Sequence, residues 1–178
     1  MSRVLEVKDR QYLDYQVHDK NTKNIILMPS GFNPSDLKLF DGDVFEGVDD
    51  IKLVSSPIRE KTIAGVLILE GNKAYGRIGK KLLYRCIPNN KHLPILLVPY
   101  MLKDIGFSKR IYNKYVVVRI AKWKDKHPEA TLVEVIGNVN ESVNFYEYSI
   151  CCSGLDISYS SFTSYIRRML KQSHMIKL

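Results

Sequence analysis

The chain has 178 residues, 45% hydrophobic and 26% charged, with 27 Lys and Arg against 19 Asp and Glu, for a net charge of +8. This is the composition of a folded chain rather than a disordered tail, with room for one large or two small domains. No run reaches the ~18 apolar residues of a membrane helix, the start MSRVLEVKDR lacks a signal-peptide core, and three cysteines, two of them adjacent, make neither a disulfide framework nor a metal spacing. The expectation is an intracellular protein of a reducing compartment, cytoplasmic or nuclear, with no membrane partner.

Residues 1–60 hold 8 Lys and Arg against 11 Asp and Glu, a balance of −3, whereas residues 61–135 hold 15 against 5, a balance of +10. The middle of the chain is a local cation, and a polyanion is its natural partner. A membrane surface suits it less well, because no basic amphipathic helix with an exposed apolar face is evident there.

In chain order, RVLEVK, YLDYQVHD and KNIILMPS read as short strands ended by Asp, Asn, Lys or Pro-Ser-Gly. Leu39-Phe40-Asp41-Gly42-Asp43-Val44 is a turn leading into another strand, a step that many OB-type barrels carry. Residues 1–60 are therefore expected to form a small five-stranded barrel. Asp41, Asp43, Asp49 and Asp50 put four carboxylates within ten residues, and magnesium-dependent nucleases hold their metal ions with such clusters. Two successive Asp-rich turns explain the cluster more simply, and its glycine and glutamate spacing does not fit a calcium loop. Residues 51–61, IKLVSSPIREK, read as a linker.

From Ala64, AGVLILEGNKAYGRIGKKLLYRCIP reads as strand, turn, strand, turn, strand. Period-2 alternation predicts that Lys73, Tyr75 and Arg77 share one face while Ala74 and Ile78 turn toward the barrel. The outer face would then carry an aromatic platform between two cations, suited to bases and phosphates. The simpler alternative makes Tyr75 a half-buried strand residue. Pro88, Pro94 and Pro99 predict a loop, an edge strand over ILLV and a further turn. YVVVRIAKW and ATLVEVIG then form a hairpin around the polar turn KDKHPE, with Val116, Val118 and Ile120 on its apolar side. Lys122, Trp123, Lys124 and Lys126 give this hairpin a basic, aromatic tip. Asn140 is placed to cap a helix whose apolar face holds Val143, Tyr146, Ile150 and Cys151. A second helix is expected after Ser160 or Ser161, with Phe162, Tyr165, Ile166, Met169 and Leu170 along one face.

KYVVVRIAKWKDKHPEATLVEVIGNVNESVNFYEYSI resembles the ribonuclease II/R family, most closely its eukaryotic exosome-type exoribonucleases. There a strand ending in tryptophan is followed by a charged turn with a proline, a second strand, a Leu/Ile-Gly pair and a short acidic helix. The resemblance extends back through RCIPNNKHLPILLVPY and GVLILEGNKAYGRI and forward through SGLDISYSSF. Lys73 to Ile78 is similar to the cold-shock signature, with Arg77 where a second aromatic is usual.

The resemblance implies a mainly β fold, with two tandem OB-fold (cold-shock-type) five-stranded barrels and C-terminal α-helices. The boundaries read as 1–60, 61–152 and a helical extension at 153–178. It implies single-stranded RNA binding, as the RNA-guiding part of a ribonuclease II/R-like 3′-to-5′ exoribonuclease. The candidate RNA-binding residues are Lys73, Tyr75, Arg77, Lys80, Lys81, Arg119, Lys122, Trp123 and Lys124. The family's catalytic aspartates belong to a separate magnesium-dependent domain, in a motif beginning Asp-Pro, a dipeptide this chain lacks. No catalytic or metal-ligating residue is therefore assigned, no cofactor is expected, and the chain alone is expected to be inactive. The expected partners are single-stranded RNA and a catalytic ribonuclease domain or subunit. The alternative is an accessory module that docks on a nuclease or RNA-processing assembly and has little RNA affinity of its own.

Overall fold

In the computed structural model, which describes residues 1–48, 50–102 and 110–154, the β-branched and aromatic runs become the strands of two sheets. The first contains β1 (Arg3–Val7), β2 (Tyr15–Asp19), β3 (Val44–Glu46) and β4 (Lys52–Ser55) in the order β2-β1-β3-β4. Leu5 and Val7 point into the core while Glu6 between them is exposed, the alternation of a half-buried strand. Among the described residues this unit is an open four-stranded sheet, where the sequence led us to expect five strands in a barrel. The expected linker is also structured: it holds β4 and a short helix, α1 (Pro57–Glu60), with proline at the helix start.

The clustered aspartates tie this unit together. Asp41 Oδ1 accepts the Val7 N–H at 2.8 Å. The carboxylate of buried Asp43 accepts the Phe40 N–H at 2.8 Å and the Ser56 hydroxyl at 2.5 Å. Burial raises the Asp43 pKa, and these two hydrogen bonds oppose the shift. Asp50 is exposed beside Lys52, and Asp49 lies outside the described residues.

The second sheet contains β5 (Thr62–Leu67), β6 (Arg77–Ile78), β7 (Lys81–Pro88), β8 (Leu96–Tyr100), β9 (Lys114–Lys122) and β10 (Glu129–Asn138). Its order β5-β9-β10-β8-β7, closed by β5 pairing with β7, makes a five-stranded Greek-key barrel of the OB type, with β6 added beside β7. β8 and β10 run parallel and meet at Leu97 and Glu129; the other pairings are antiparallel. Closure depends on Gly65, where a Cβ would lie 2.8 Å from Cys86 Sγ and 2.9 Å from the Ile87 carbonyl. β8 is not the edge strand expected from its prolines. Pro99 lies within it, opposite Leu83 and past the β10 contact, where the missing N–H removes no bond to β10. Val116, Val118 and Ile120 fill the barrel interior while Arg119 and Ala121 face out, as their alternation predicts.

α2 (Ser142–Cys152) packs against β5, β9 and β10. Its cap is Glu141 rather than Asn140, and its buried residue is Tyr148, stacked on Tyr115 with ring centroids 4.3 Å apart. Val143 and Tyr146, expected on the buried side, are each 58% exposed. The helix expected after Ser160 lies outside the described residues. No helix among the described residues is long and apolar enough to cross a membrane.

The two sheets share one hydrophobic core, which runs from Leu5, Val17 and Phe45 through Tyr12 and Phe40 to Trp123, Leu93 and Tyr84. Trp123 is the junction. Its ring lies 4.6 Å from Phe40 and meets Tyr12 edge-on at 5.9 Å, between centroids. Polar contacts brace the same seam: Lys38 Nζ donates to the Asp125 carbonyl at 3.0 Å, and Arg10 donates to the Pro88 carbonyl at 2.9 Å.

Candidate nucleic-acid interface

Two strands and two connections of the barrel supply the site. β6 and β7 form a hairpin around Gly79 and Lys80, with Arg77 opposite Leu82 and Ile78 opposite Lys81. Below β6, the Tyr75 N–H donates to the Leu83 carbonyl at 2.8 Å and the Leu83 N–H donates to the Gly76 carbonyl at 2.9 Å. Two residues thus oppose one, which is a β-bulge. Gly76 takes φ +138, a conformation that favours glycine. The bulge breaks the alternation assumed from the sequence. Residues 71–80 are all exposed, so Ala74 and Ile78 do not enter the barrel and the hairpin stands away from it.

Tyr75, 37% exposed, sits at the base of this hairpin with two cations near its ring. Lys73 Nζ lies 5.6 Å from the ring centroid and the Arg85 guanidinium 5.7 Å from it. Arg85 also reaches the Tyr75 hydroxyl, at 3.5 Å. The Arg85 contact, with Lys73 adding to it, holds the phenol below its usual pKa. Arg85 projects outward from β7 because Tyr84 and Cys86 on either side of it face the core. Across β8 its neighbour is Leu97, whose own neighbours Leu96 and Val98 are buried. The β9–β10 turn borders the same wall, since the Leu97 N–H donates to the Pro128 carbonyl at 2.8 Å. In that turn, burial lowers the His127 pKa, and the charges of Lys126 and Arg85 lower it further.

The nine residues singled out in the sequence do not form one patch. Lys73 and Tyr75 meet. Arg77, Lys80 and Lys81 stand exposed along the hairpin above them. Lys124 is exposed in the β9–β10 turn. Lys122 is paired with Glu129 at 3.1 Å. Arg119 is exposed on β9, which is separated from both β7 and β8 by a strand, so it belongs to a different wall of the barrel. Trp123 is a correction: it is 7% exposed and enclosed by Tyr12 and Phe40, so it offers no face to a base. Sequence reasoning missed Arg85, although the alternation of Arg85 and Ile87 with Tyr84 and Cys86 carried the signal. It also passed over Leu97 and His127, whose place depends on which strands become neighbours.

An OB barrel binds strands of nucleic acid on the wall formed by its second and third strands, flanked by the loops at either end. Here those strands are β7 and β8, and the loops are the segment from Ile68 to Lys80 and the β9–β10 turn. The wall offers one aromatic ring, one guanidinium, apolar floor residues and a cationic rim. Among the described residues, no group of three His, Cys, Asp or Glu side chains is disposed to hold a metal ion. Asp41 and Asp43 are engaged with backbone and hydroxyl donors on the first sheet.

Comparison with known proteins agrees with this architecture. The chain is similar in structure to yeast Ssd1, described as a pseudonuclease, with a TM-score of 0.56 and 16% identity over 85% of this chain. It spans 24% of that protein's chain, and at this identity the likeness concerns the fold. No curated protein sequence matches. Residues 83–144 match the family model of the Dis3-like cold-shock domain 2, from the outward wall of β7 through β8, β9 and β10 to the start of α2. Residues 83–144, about a third of the chain, thus resemble the second cold-shock domain of Dis3-like proteins, and the barrel that holds them is of the OB type.

Proposed function

We propose that this chain binds single-stranded RNA along the β7–β8 wall and the β6–β7 hairpin, and guides it without cutting it. The observation that carries this reading is Tyr75, exposed beside Lys73 and Arg85 on the wall an OB barrel uses for such ligands. Bases stack on the ring while Arg77, Lys80, Lys81 and Lys124 neutralise phosphates. In this reading the module serves a ribonuclease II/R-type 3′-to-5′ exoribonuclease in RNA degradation of the exosome kind, in the cytoplasm or nucleus. A magnesium-dependent catalytic domain or subunit would be its partner.

A titration of the full chain with labelled single-stranded RNA at several salt concentrations tests the reading. Affinity should fall with salt, by about 0.7 in log K per log salt for each phosphate neutralised. Duplex RNA should bind less well, because its bases are not free to stack. Absent or salt-insensitive binding would favour the second reading, an accessory module that docks on a protein. One observation supports that alternative: Val143, Phe145 and Tyr146 on α2 are exposed together.

A further inference from the structure

Beside the wall described above, β10 contributes a carboxylate that phosphate binding does not explain. Glu129 opens β10 and is the parallel-strand neighbour of Leu97, which in turn faces Arg85 across β7. All three point outward, because the residues beside them, Ala130 on β10, Leu96 and Val98 on β8, and Tyr84 and Cys86 on β7, are buried. Three adjacent strands therefore carry, in order, a guanidinium, an apolar floor and a carboxylate. Neighbouring strands are about 4.8 Å apart, so the two charged groups start about 10 Å apart along the sheet. Lys122 holds Glu129 in place through its 3.1 Å contact with Oε2, and a carboxylate keeps further acceptor positions after one such pairing. In an interface meant only for phosphates this group would repel the ligand. Beside an apolar floor and opposite an arginine, it is placed to read a base.

We propose that this row selects guanine, an inference that rests on the RNA-binding reading above. Guanine alone among the four bases presents two adjacent N–H donors, at N1 and N2, on one edge and two acceptors, O6 and N7, on another. The donors match the Glu129 carboxylate and the acceptors match the Arg85 guanidinium, while the ring lies over Leu97. Cytosine and adenine bring a single amino group, and uracil a single ring N–H, so each leaves part of the row unpaired. Tyr75 stacks on the neighbouring base and contributes no selectivity.

The test is an anisotropy titration of the full chain with oligouridylates that carry a single guanosine, inosine, adenosine or cytidine. The guanosine oligomer should bind about tenfold tighter than the others, the discrimination expected of one well-made bidentate contact. Inosine, which lacks the N2 amino group, should lose most of that preference with the native chain, whatever any variant does to folding. Glu129→Gln should bring guanosine and adenosine to similar affinity while oligouridylate binding holds or rises. Equal affinity for all four oligomers, or a guanosine preference that inosine or Glu129→Gln leaves intact, would overturn the inference and leave RNA binding standing. If none of the oligomers binds, both the RNA reading and this inference fall.

Discussion

The first sheet and the barrel use their charged residues in opposite ways. In the first sheet several carboxylates are turned onto the backbone. Asp19 accepts N–H groups from Asn21 and Thr22 at 2.9 and 2.7 Å, Asp9 accepts from Leu13 and Asp14, and Asp41 and Asp43 fasten the turn before β3. In the barrel, Lys73, Arg77, Lys80 and Lys81 stand exposed on a hairpin that projects from the fold. The acidic balance of the first unit thus includes turns that need acceptors, and the basic balance of the second includes cations left exposed on one hairpin. Yet the two are not separable bodies. Trp123 lies in the seam between them, so cutting the chain near residue 60 would strip the ring of Phe40 and Tyr12.

The largest expected effect tests that seam. Trp123→Ala should cost about 3–5 kcal/mol of stability, the range for removing a large buried aromatic. Guanidinium melts followed by far-ultraviolet circular dichroism should show one transition moved to lower denaturant. Two separate transitions, or a loss below about 1 kcal/mol, would show that the units are independent.

The next effect separates the two regions by affinity. Tyr75→Ala should weaken single-stranded RNA binding by about 1–3 kcal/mol, the value of a lost stacking platform, with no change in melting. Lys8→Ala and Lys20→Ala, each just past the end of a strand of the first sheet, should leave affinity where it was. A fluorescence titration in which Tyr75→Ala binds like the native chain would return that ring to the role of scaffold.

A third test concerns the acceptors of the first sheet. Asp43→Ala leaves the Phe40 N–H and the Ser56 hydroxyl without their partner and should cost about 1–3 kcal/mol. The pH dependence is more diagnostic. Burial raises the folded pKa of Asp43 above its unfolded value, so the folded state binds this proton more readily. Its contribution is therefore most favourable below the unfolded value near 3.9 and is lost as pH rises through the raised folded value. Asp43→Asn should remove that component, and urea midpoints measured across the acid range would show a flatter profile. A profile identical to the native one would mean that Asp43 titrates normally.

The smallest effect sharpens the picture of the hairpin. Lys80→Ala should lower the salt slope of RNA binding by about 0.7, one phosphate contact, with little change at high salt. An unchanged slope would place the strand elsewhere on the barrel.

The sequence by itself determined the mainly β fold, because runs such as YVVVRIAKW bury every second side chain and cannot do so as a helix. It also determined the sign of each region's charge and the closeness of Lys73 and Tyr75, which are neighbours along the chain. Alternation along one strand, however, says which residues share a side and nothing about what will cover that side. Trp123 lies just beyond the end of β9, where periodicity stops, and only the packing of Tyr12 and Phe40 from the first sheet turned it from surface to core. The bulge at Gly76 shifted the phase of the hairpin, so Ala74 and Ile78 stayed outside. Arg85 became part of the site because β7 folds back against the segment that carries Tyr75. Leu97 and Glu129 became neighbours because β8 and β10, far apart in sequence, run parallel. Those relations belong to the order in which strands meet around a barrel, and that order is decided by the closing of the whole core.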